Sequence, residues 1–279
     1  MSDLGGKVAV VLGASAEGGT GWGIAEGLAA AGARVVVAAR SFAPLQRLAD
    51  RIGGTAIACD AGDEAQITAL RDKTLDLHGR IDIAVNSAAT PTLGLIAQAT
   101  PALMEQAVQV NYFGMTYFVR DMAAAMADGG SIVLISSMSV THPVFPHFAY
   151  AGAKAAMECM VKYAAIEYGP RRIRVNGIRI GTVLSEMARD HFESPGVAER
   201  FIHEIPLGRL GQPEDMAKAV LWLADGAFIS GSMLDVSGGN QVNRFPFLSE
   251  LPGGGASYEG SGALADREAG HGTAWKPAA

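Results

Sequence analysis

Six short apolar runs and a shorter seventh, separated by helical stretches, constrain this chain more than any other feature. The runs are Lys7–Leu12 (KVAVVL), Arg34–Ala39, Thr55–Cys59, Ile81–Val85, Ser131–Ser136, Ile173–Ile180 and Met233–Val236. The first is β-branched and unbroken, with no polar alternation, as a strand must be when both of its faces are covered. Helical patterns follow at Trp22–Ala31, Pro44–Ile52, Asp63–His78, Pro101–Ala127, Tyr150–Tyr168 and Pro213–Ala224. Gly32 closes the first of these, at the position where a left-handed cap suits glycine. Strands alternating with helices predict an α/β architecture, a doubly wound parallel sheet. The connections are short, so a single domain is expected over residues 1–243, followed by a C-terminal extension, 244–279.

Composition removes several classes of function. With 279 residues, 49% apolar and 18% charged, the chain has ample interior and is not a disordered polymer. Its net charge is −6 and no basic run stands out, which argues against nucleic acid or an anionic membrane surface as a partner. No apolar run reaches the length of a membrane span, and the first residues lack a basic segment before a long apolar one. The expectation is a cytoplasmic protein. Two cysteines, Cys59 and Cys159, build neither a disulfide framework nor a four-thiolate metal site. No His/Cys/Asp cluster has metal-ligand spacing, so no metal is expected.

In such a sheet, ligands bind beyond the carboxyl ends of the strands, which directs attention to the residues just after each run. The first is followed by a glycine-rich loop, Gly13 to Gly23, running into a helix. Bare backbone there lets a pyrophosphate approach, and the helix N-terminus offers it unpaired N–H groups. Gly13, Ser15, Gly19 and Thr20 are the expected cofactor contacts in this loop. After the second run stands Arg40, with no acid at Ala38 or Ala39. A cation at this point suits a ribose 2′-phosphate, which favours NADP(H) over NAD(H); the alternative is a solvated surface arginine. Asp60 and Ala61 follow the third run, where Asp60 either accepts from an adenine amino group or caps the next helix. After the fourth, Asn86-Ser87-Ala88-Ala89 presents small residues where a flat ring or ribose must pass, with Asn86 and Ala88 as expected contacts.

Past the fifth run come Ser136 and Ser137, then Tyr150-Ala-Gly-Ala-Lys154 at the start of a helix. Residues four apart share a helical face. An ammonium beside a phenol favours the phenolate and lowers its pKa from about 10 towards working pH, as a general acid/base needs. Over residues 4–240 the chain resembles the short-chain dehydrogenase/reductase family. Tyr150-x-x-x-Lys154 is similar to that family's catalytic motif, Ser137 stands thirteen positions before the tyrosine, and Asn111 in Val110-Asn111-Tyr112-Phe113-Gly114 resembles the asparagine that completes its tetrad. The resemblance implies a Rossmann fold and hydride transfer between a nicotinamide cofactor and a carbonyl or alcohol. Tyr150 would then be the general acid/base and Ser137 would hold the substrate oxygen. Lys154 would hold the nicotinamide ribose and tune Tyr150, and Asn111 would position a water in the proton path. Tyr150, Lys154, Ile180 and Thr182 join the expected cofactor contacts.

The departures from the family pattern are specific. The loop Gly13-x5-Gly19-x2-Trp22-Gly23 is more similar to that of enoyl-acyl-carrier-protein reductases, but those enzymes space their tyrosine and lysine more widely. Asn86-Ser-Ala-Ala, Ile180-Gly181 and Ser237-Gly-Gly replace the family's Asn-Asn-Ala-Gly, Pro-Gly and Asp-Gly-Gly. Carbonyl/alcohol interconversion is therefore favoured over an enoyl reductase acting on a C=C bond, with a non-catalytic dinucleotide-binding regulator as a third reading. Met138, Val144, Phe145, Phe148, Met187 and Phe192 are expected to wall a pocket for a small hydrophobic carbonyl or alcohol substrate. The resemblance also implies a homo-oligomer, a tetramer, with the Pro101–Ala127 and Tyr150–Tyr168 helices at subunit contacts. Of the 35 glycines, five (13, 18, 19, 21 and 23) fall in the cofactor loop and seven in a tail from Pro252 onward. That tail is either flexible or laid across a neighbouring subunit.

Overall fold

The computed structural model describes residues 3–127, 129–184, 192, 194–226, 228–247 and 250–251. Seven strands form one sheet: β1 (Val8–Leu12), β2 (Arg34–Ala39), β3 (Thr55–Ala58), β4 (Ile83–Asn86), β5 (Gly130–Ser137), β6 (Ile173–Ile180) and β7 (Met233–Val236). All neighbours are parallel, in the order β3-β2-β1-β4-β5-β6-β7. Parallel neighbours need a crossover, and the described helices include α1 (Thr20–Ala30), α2 (Phe42–Ile52), α3 (Glu64–His78), α4 (Pro101–Val108), α5 (Met115–Ala125), α6 (Phe148–Tyr168), α7 (Val197–His203) and α8 (Pro213–Asp225). Each strand read from the sequence is present, within two residues at either end.

The unbroken apolar character of β1 has its cause in two separate cores. Val10 and Leu12 point into one, with Phe118 and Met122 of α5 and Met157 of α6. Ala9 and Val11 point into the other, with Ile24 of α1, Leu45 of α2 and Val220 of α8. Successive side chains alternate between faces, so a strand covered on both has no place for a polar residue. All five residues of β1 are buried. Strand order reverses between β1 and β4: β2 and β3 lie to one side, β4 to β7 to the other. The connections after β1 and β4 therefore diverge at the carboxyl edge and leave a crevice.

One expected element is corrected. The helix read as Pro101–Ala127 is two helices, α4 and α5, joined by a π-helical turn at Gln109–Gly114. The Asn111 side chain donates to the Ala107 carbonyl at 2.8 Å and to the Thr90 carbonyl at 2.9 Å. It thus competes with the backbone ladder inside its own helix, and wide turns of this kind mark functional segments. The turn also lays Gly114 directly on the Ala61 carbonyl, where a Cβ would collide. None of the described helices is long and apolar enough to cross a membrane.

Gly114→Ala should lower stability by about 1–3 kcal/mol, the usual cost of overfilling a packed site. The midpoint of denaturant unfolding measures this.

Candidate active site

The glycine loop and the segment after β4 meet at the crevice. Gly13 has φ +90, and a Cβ on it would lie 2.7 Å from the Ala88 Cα and the Ser87 carbonyl carbon. Only glycine meets both demands there. The loop ends at Gly19, the N-cap of α1, where no side chain caps the helix and no acid stands in the first turn. The first-turn N–H groups of Thr20 and its neighbours, with the positive end of the helix dipole, thus lie open to an anion.

Past β2, exposed Arg40 lines the same cleft and makes no ion pair among the described residues. Past β3, Asp60 accepts from the Gly62 N–H at 2.8 Å, whereas Asp63 caps α3 by accepting from the Gln66 N–H at 3.1 Å. Asp60 is not the helix cap, and it lines the cleft beside Ala61. Past β4, Asn86 is fully buried; its Oδ1 accepts from the Ala88 N–H at 3.0 Å and its Nδ2 has no partner. An open helix N-terminus, an exposed cation and an orphaned buried amide together fit a dinucleotide cofactor.

The cleft, about 560 Å³, runs from this loop to the carboxyl ends of β5 and β6. Gly13, Ser15, Gly19, Thr20, Arg40, Asp60, Ala61, Ala88, Ser137, Tyr150, Lys154, Ile180 and Thr182 all line it. Asn86 and Asn111 lie behind it, fully buried. Asn111 accepts from the Thr90 N–H at 3.3 Å and returns a bond to the Thr90 carbonyl, so it pins Thr90 at the cleft wall.

Ser137 ends β5, and its Oγ accepts from the Ser139 N–H at 3.2 Å and the Ser139 hydroxyl at 3.0 Å. Tyr150 is the third residue of α6, and Lys154 follows one turn on. The Lys154 ammonium donates to the Ile135 carbonyl at 2.8 Å and lies 5.8 Å from the centre of the Tyr150 ring. The expected lowering of the phenol by this lysine is corrected: burial pushes the Tyr150 phenol up to about 12, with the Ser137 hydroxyl pulling the other way. Burial pushes the Lys154 amine down to about 7, opposed by Glu158. Each group loses hydration here, and that loss disfavours the charged form of both.

Of the apolar side chains expected to wall the substrate end, Val144 and Phe192 line the cleft. Met138 is fully buried away from it, Phe145 and Phe148 lie off it, and Met187 is outside the described residues. The site residues named from the sequence do not include Ser139, Thr90, Pro91 or His147. All four line the cleft, and the His147 ring stands edge-on to Tyr150, 6.3 Å between centres. Phe192 packs edge-on against Phe201 of α7 at 5.4 Å, and Phe201 against Phe245 at 6.5 Å. Arg244 pairs with Glu250 at 2.6 Å and Glu204 at 3.0 Å, and Arg200 of α7 with the same two carboxylates at 2.8 and 2.6 Å. The described start of the C-terminal extension is thereby bound to α7, against which Phe192 packs; residues 252–279 lie outside the described residues. No group of three metal-binding side chains occurs among the described residues.

Comparison with known proteins agrees with this geometry. A family model described as enoyl-(acyl carrier protein) reductase matches residues 13–241. The 7alpha-hydroxysteroid dehydrogenase of Escherichia coli is 35% identical over 246 residues, covering 85% of this chain and 94% of its own. The galactitol 2-dehydrogenase (L-tagatose-forming) of Cereibacter sphaeroides is 34% identical over 248 residues, covering 86% and 96%. The structure of a short-chain type dehydrogenase/reductase from Mycobacterium ulcerans superimposes with a TM-score of 0.83 at 29% identity, over 89% of this chain and 94% of that one.

The Arg244 and Arg200 guanidiniums hold the Glu250 carboxyl at about 2, below its usual 4.5. A depressed folded-state value stabilises above the unfolded one and loses that contribution as pH falls through the folded one. Amide exchange of residues 244–247, corrected for intrinsic rates, should therefore accelerate between about pH 4.5 and pH 2. Glu250→Gln should exchange fast throughout, without that step.

Proposed function

The chain belongs to the short-chain dehydrogenase/reductase family, NAD(P)-dependent oxidoreductases acting on CH–OH and C=O groups, and on that premise we propose that it transfers hydride between NADP(H) and a hydrophobic ketone or secondary alcohol, with Tyr150 as general acid/base. The observation that carries this reading is the convergence of Ser137, Tyr150 and Lys154 at one end of a cleft whose other end is the glycine loop and Arg40.

When bound, the nicotinamide supplies or accepts the hydride. Ser137 donates its hydroxyl hydrogen to the substrate oxygen; the Ser139 N–H and hydroxyl, both directed at Ser137 Oγ, fix its orientation. Tyr150 gives its phenolic proton to that oxygen in reduction and takes one in oxidation. A phenol raised by burial stays protonated at neutral pH, which suits the reductive direction. Lys154, charged, would hold the nicotinamide ribose and stabilises the phenolate that reduction leaves and oxidation starts from. The loop N–H groups of α1 and Arg40 bind phosphate, Arg40 the 2′-phosphate of NADP(H). Asn111 holds the Thr90 wall in place.

Relatives named for a steroid and for a sugar alcohol are about equally similar, so identity does not choose a substrate. The apolar wall of Val144, Phe192 and Pro91 favours a hydrophobic one. Reduction of a C=C bond is the second reading, supported by the matching family model and the long loop. We read the family membership as favouring a homotetramer, with α4, α5 and α6 at the contacts.

A panel of hydrophobic ketones, the matching alcohols and enones, followed at the absorbance of reduced nicotinamide, separates these readings. Ketones should turn over and enones should keep their double bond. Tyr150→Phe should lose about 10²–10⁴-fold in kcat, the usual contribution of a general acid, while NADPH affinity stays nearly intact. NADPH should outperform NADH, and Arg40→Ala should cut that preference on the order of tenfold, the loss of one charge-assisted contact.

A further inference from the structure

Behind Lys154 lies a buried pair of charges that the reaction as described does not use. Glu158, one turn beyond Lys154 on α6, is buried at 6% exposure. Its Oε1 accepts from the Ser136 hydroxyl at 2.7 Å and from Arg179 Nε at 2.9 Å. Its Oε2 accepts from Arg179 Nε at 3.0 Å and Nη2 at 2.8 Å. Arg179 stands on β6, and Asp235 of β7 approaches it from beyond at 3.4 Å. The carboxylate is thus fixed from β5 and β6 at once. Buried ion pairs of this kind add little net stability, because desolvation cancels most of the attraction. Stability alone therefore does not account for it.

The charges around Lys154 can be enumerated element by element. On α6 are Tyr150 and Glu158. From β5 come the Ile135 carbonyl and the neutral Ser136 and Ser137 hydroxyls, from β6 Arg179, and from the π-helical turn the neutral Asn111 amide and the Tyr112 phenol. Glu105 of α4 is exposed, and Arg120 and Asp121 of α5 are committed to Glu64, Thr68 and Arg71. Arg171 and Arg172 lie past the far end of α6. Among these charges, Glu158 is the one that holds the amine up against its burial.

We propose that Glu158 is a positioning residue for the Tyr150–Lys154 pair: clamped by Ser136 and Arg179 one turn beyond the lysine, it keeps that buried amine in its charged form. Arg179 is the counterweight, since its cation screens part of the carboxylate. The two partners of one ion pair then act on Lys154 with opposite sign. A purely structural pair would act with the same sign, by loosening the fold. The proposal rests on the functional reading above, in which Lys154 must be charged.

The test titrates Lys154 in the full chain carrying ¹³Cε-labelled lysine, its resonance identified by its loss in Lys154→Met. Removing a charge within about 4–6 Å moves a titration by on the order of one pH unit. Glu158→Gln should lower the Lys154 midpoint by about that much, and Arg179→Gln should raise it. Midpoints equal to wild type in both variants, or displaced in the same direction, would overturn the proposal. If Glu158→Gln fails to fold, Arg179→Gln decides alone: only an upward displacement supports it. The titration needs no turnover, so it is separable from the functional reading. Full activity of Tyr150→Phe on the ketone panel would sink that reading and leave the Lys154 midpoints standing.

Discussion

A parallel strand cannot return directly to its neighbour, and the helices that make each return cover both faces of the sheet. Nearly everything else in this molecule depends on that covering. β1 is buried along its whole length because α5 and α6 close one face while α1, α2 and α8 close the other. Chemistry is left with the strand ends. Where strand order reverses between β1 and β4, the connections part, and the Gly13 loop and the Ser87–Ala89 segment line the two sides of the gap. Their approach is so close that a single methyl group on Gly13 would prevent it.

The same covering makes charge costly near the site. Lys154 and Glu158 lie on one face of α6, against β5 and β6, where water is excluded. Neither is left without partners: Ile135 takes the amine, while Ser136 and Arg179 take the carboxylate. A buried Asn111 is likewise fully engaged, but by main chain, at the expense of regular helix in the π-helical turn. Lys154, Glu158 and Asn111 are therefore each tied to a strand or loop outside their own helix, so their positions are set by several elements together.

The outer wall follows different physics. Phe192, Phe201 and Phe245 form a chain of edge-on aromatic contacts from the cleft to the C-terminal segment. Arg200, Arg244, Glu204 and Glu250 surround it with ion pairs that are only partly buried. Such a wall is held by contacts between segments distant in the chain, and not by the sheet.

The strands and the glycine loop were legible because their signals are local: a run of β-branched residues, glycines before a helix, a tyrosine and a lysine four apart. Ser137 ends β5, and Tyr150 and Lys154 lie in the first two turns of α6, where position along the element places them. The break at Gln109–Gly114 was not legible, since Asn111 takes one of its partners, Thr90, from twenty-one residues away. Met138, Phe145 and Phe148 were misplaced because an apolar side chain near a site looks the same whether it faces ligand or core. The balance of charge at Tyr150 and Lys154 was also out of reach. Spacing along a helix says which groups are neighbours, but hydration, lost only when the other elements close over them, decides how readily each carries a charge. The chain by itself determined the sheet, its edge and the residues brought there. Only the tertiary structure decided their protonation, their partners and the wall that faces them, because burial is a property of the whole packing and of no single segment.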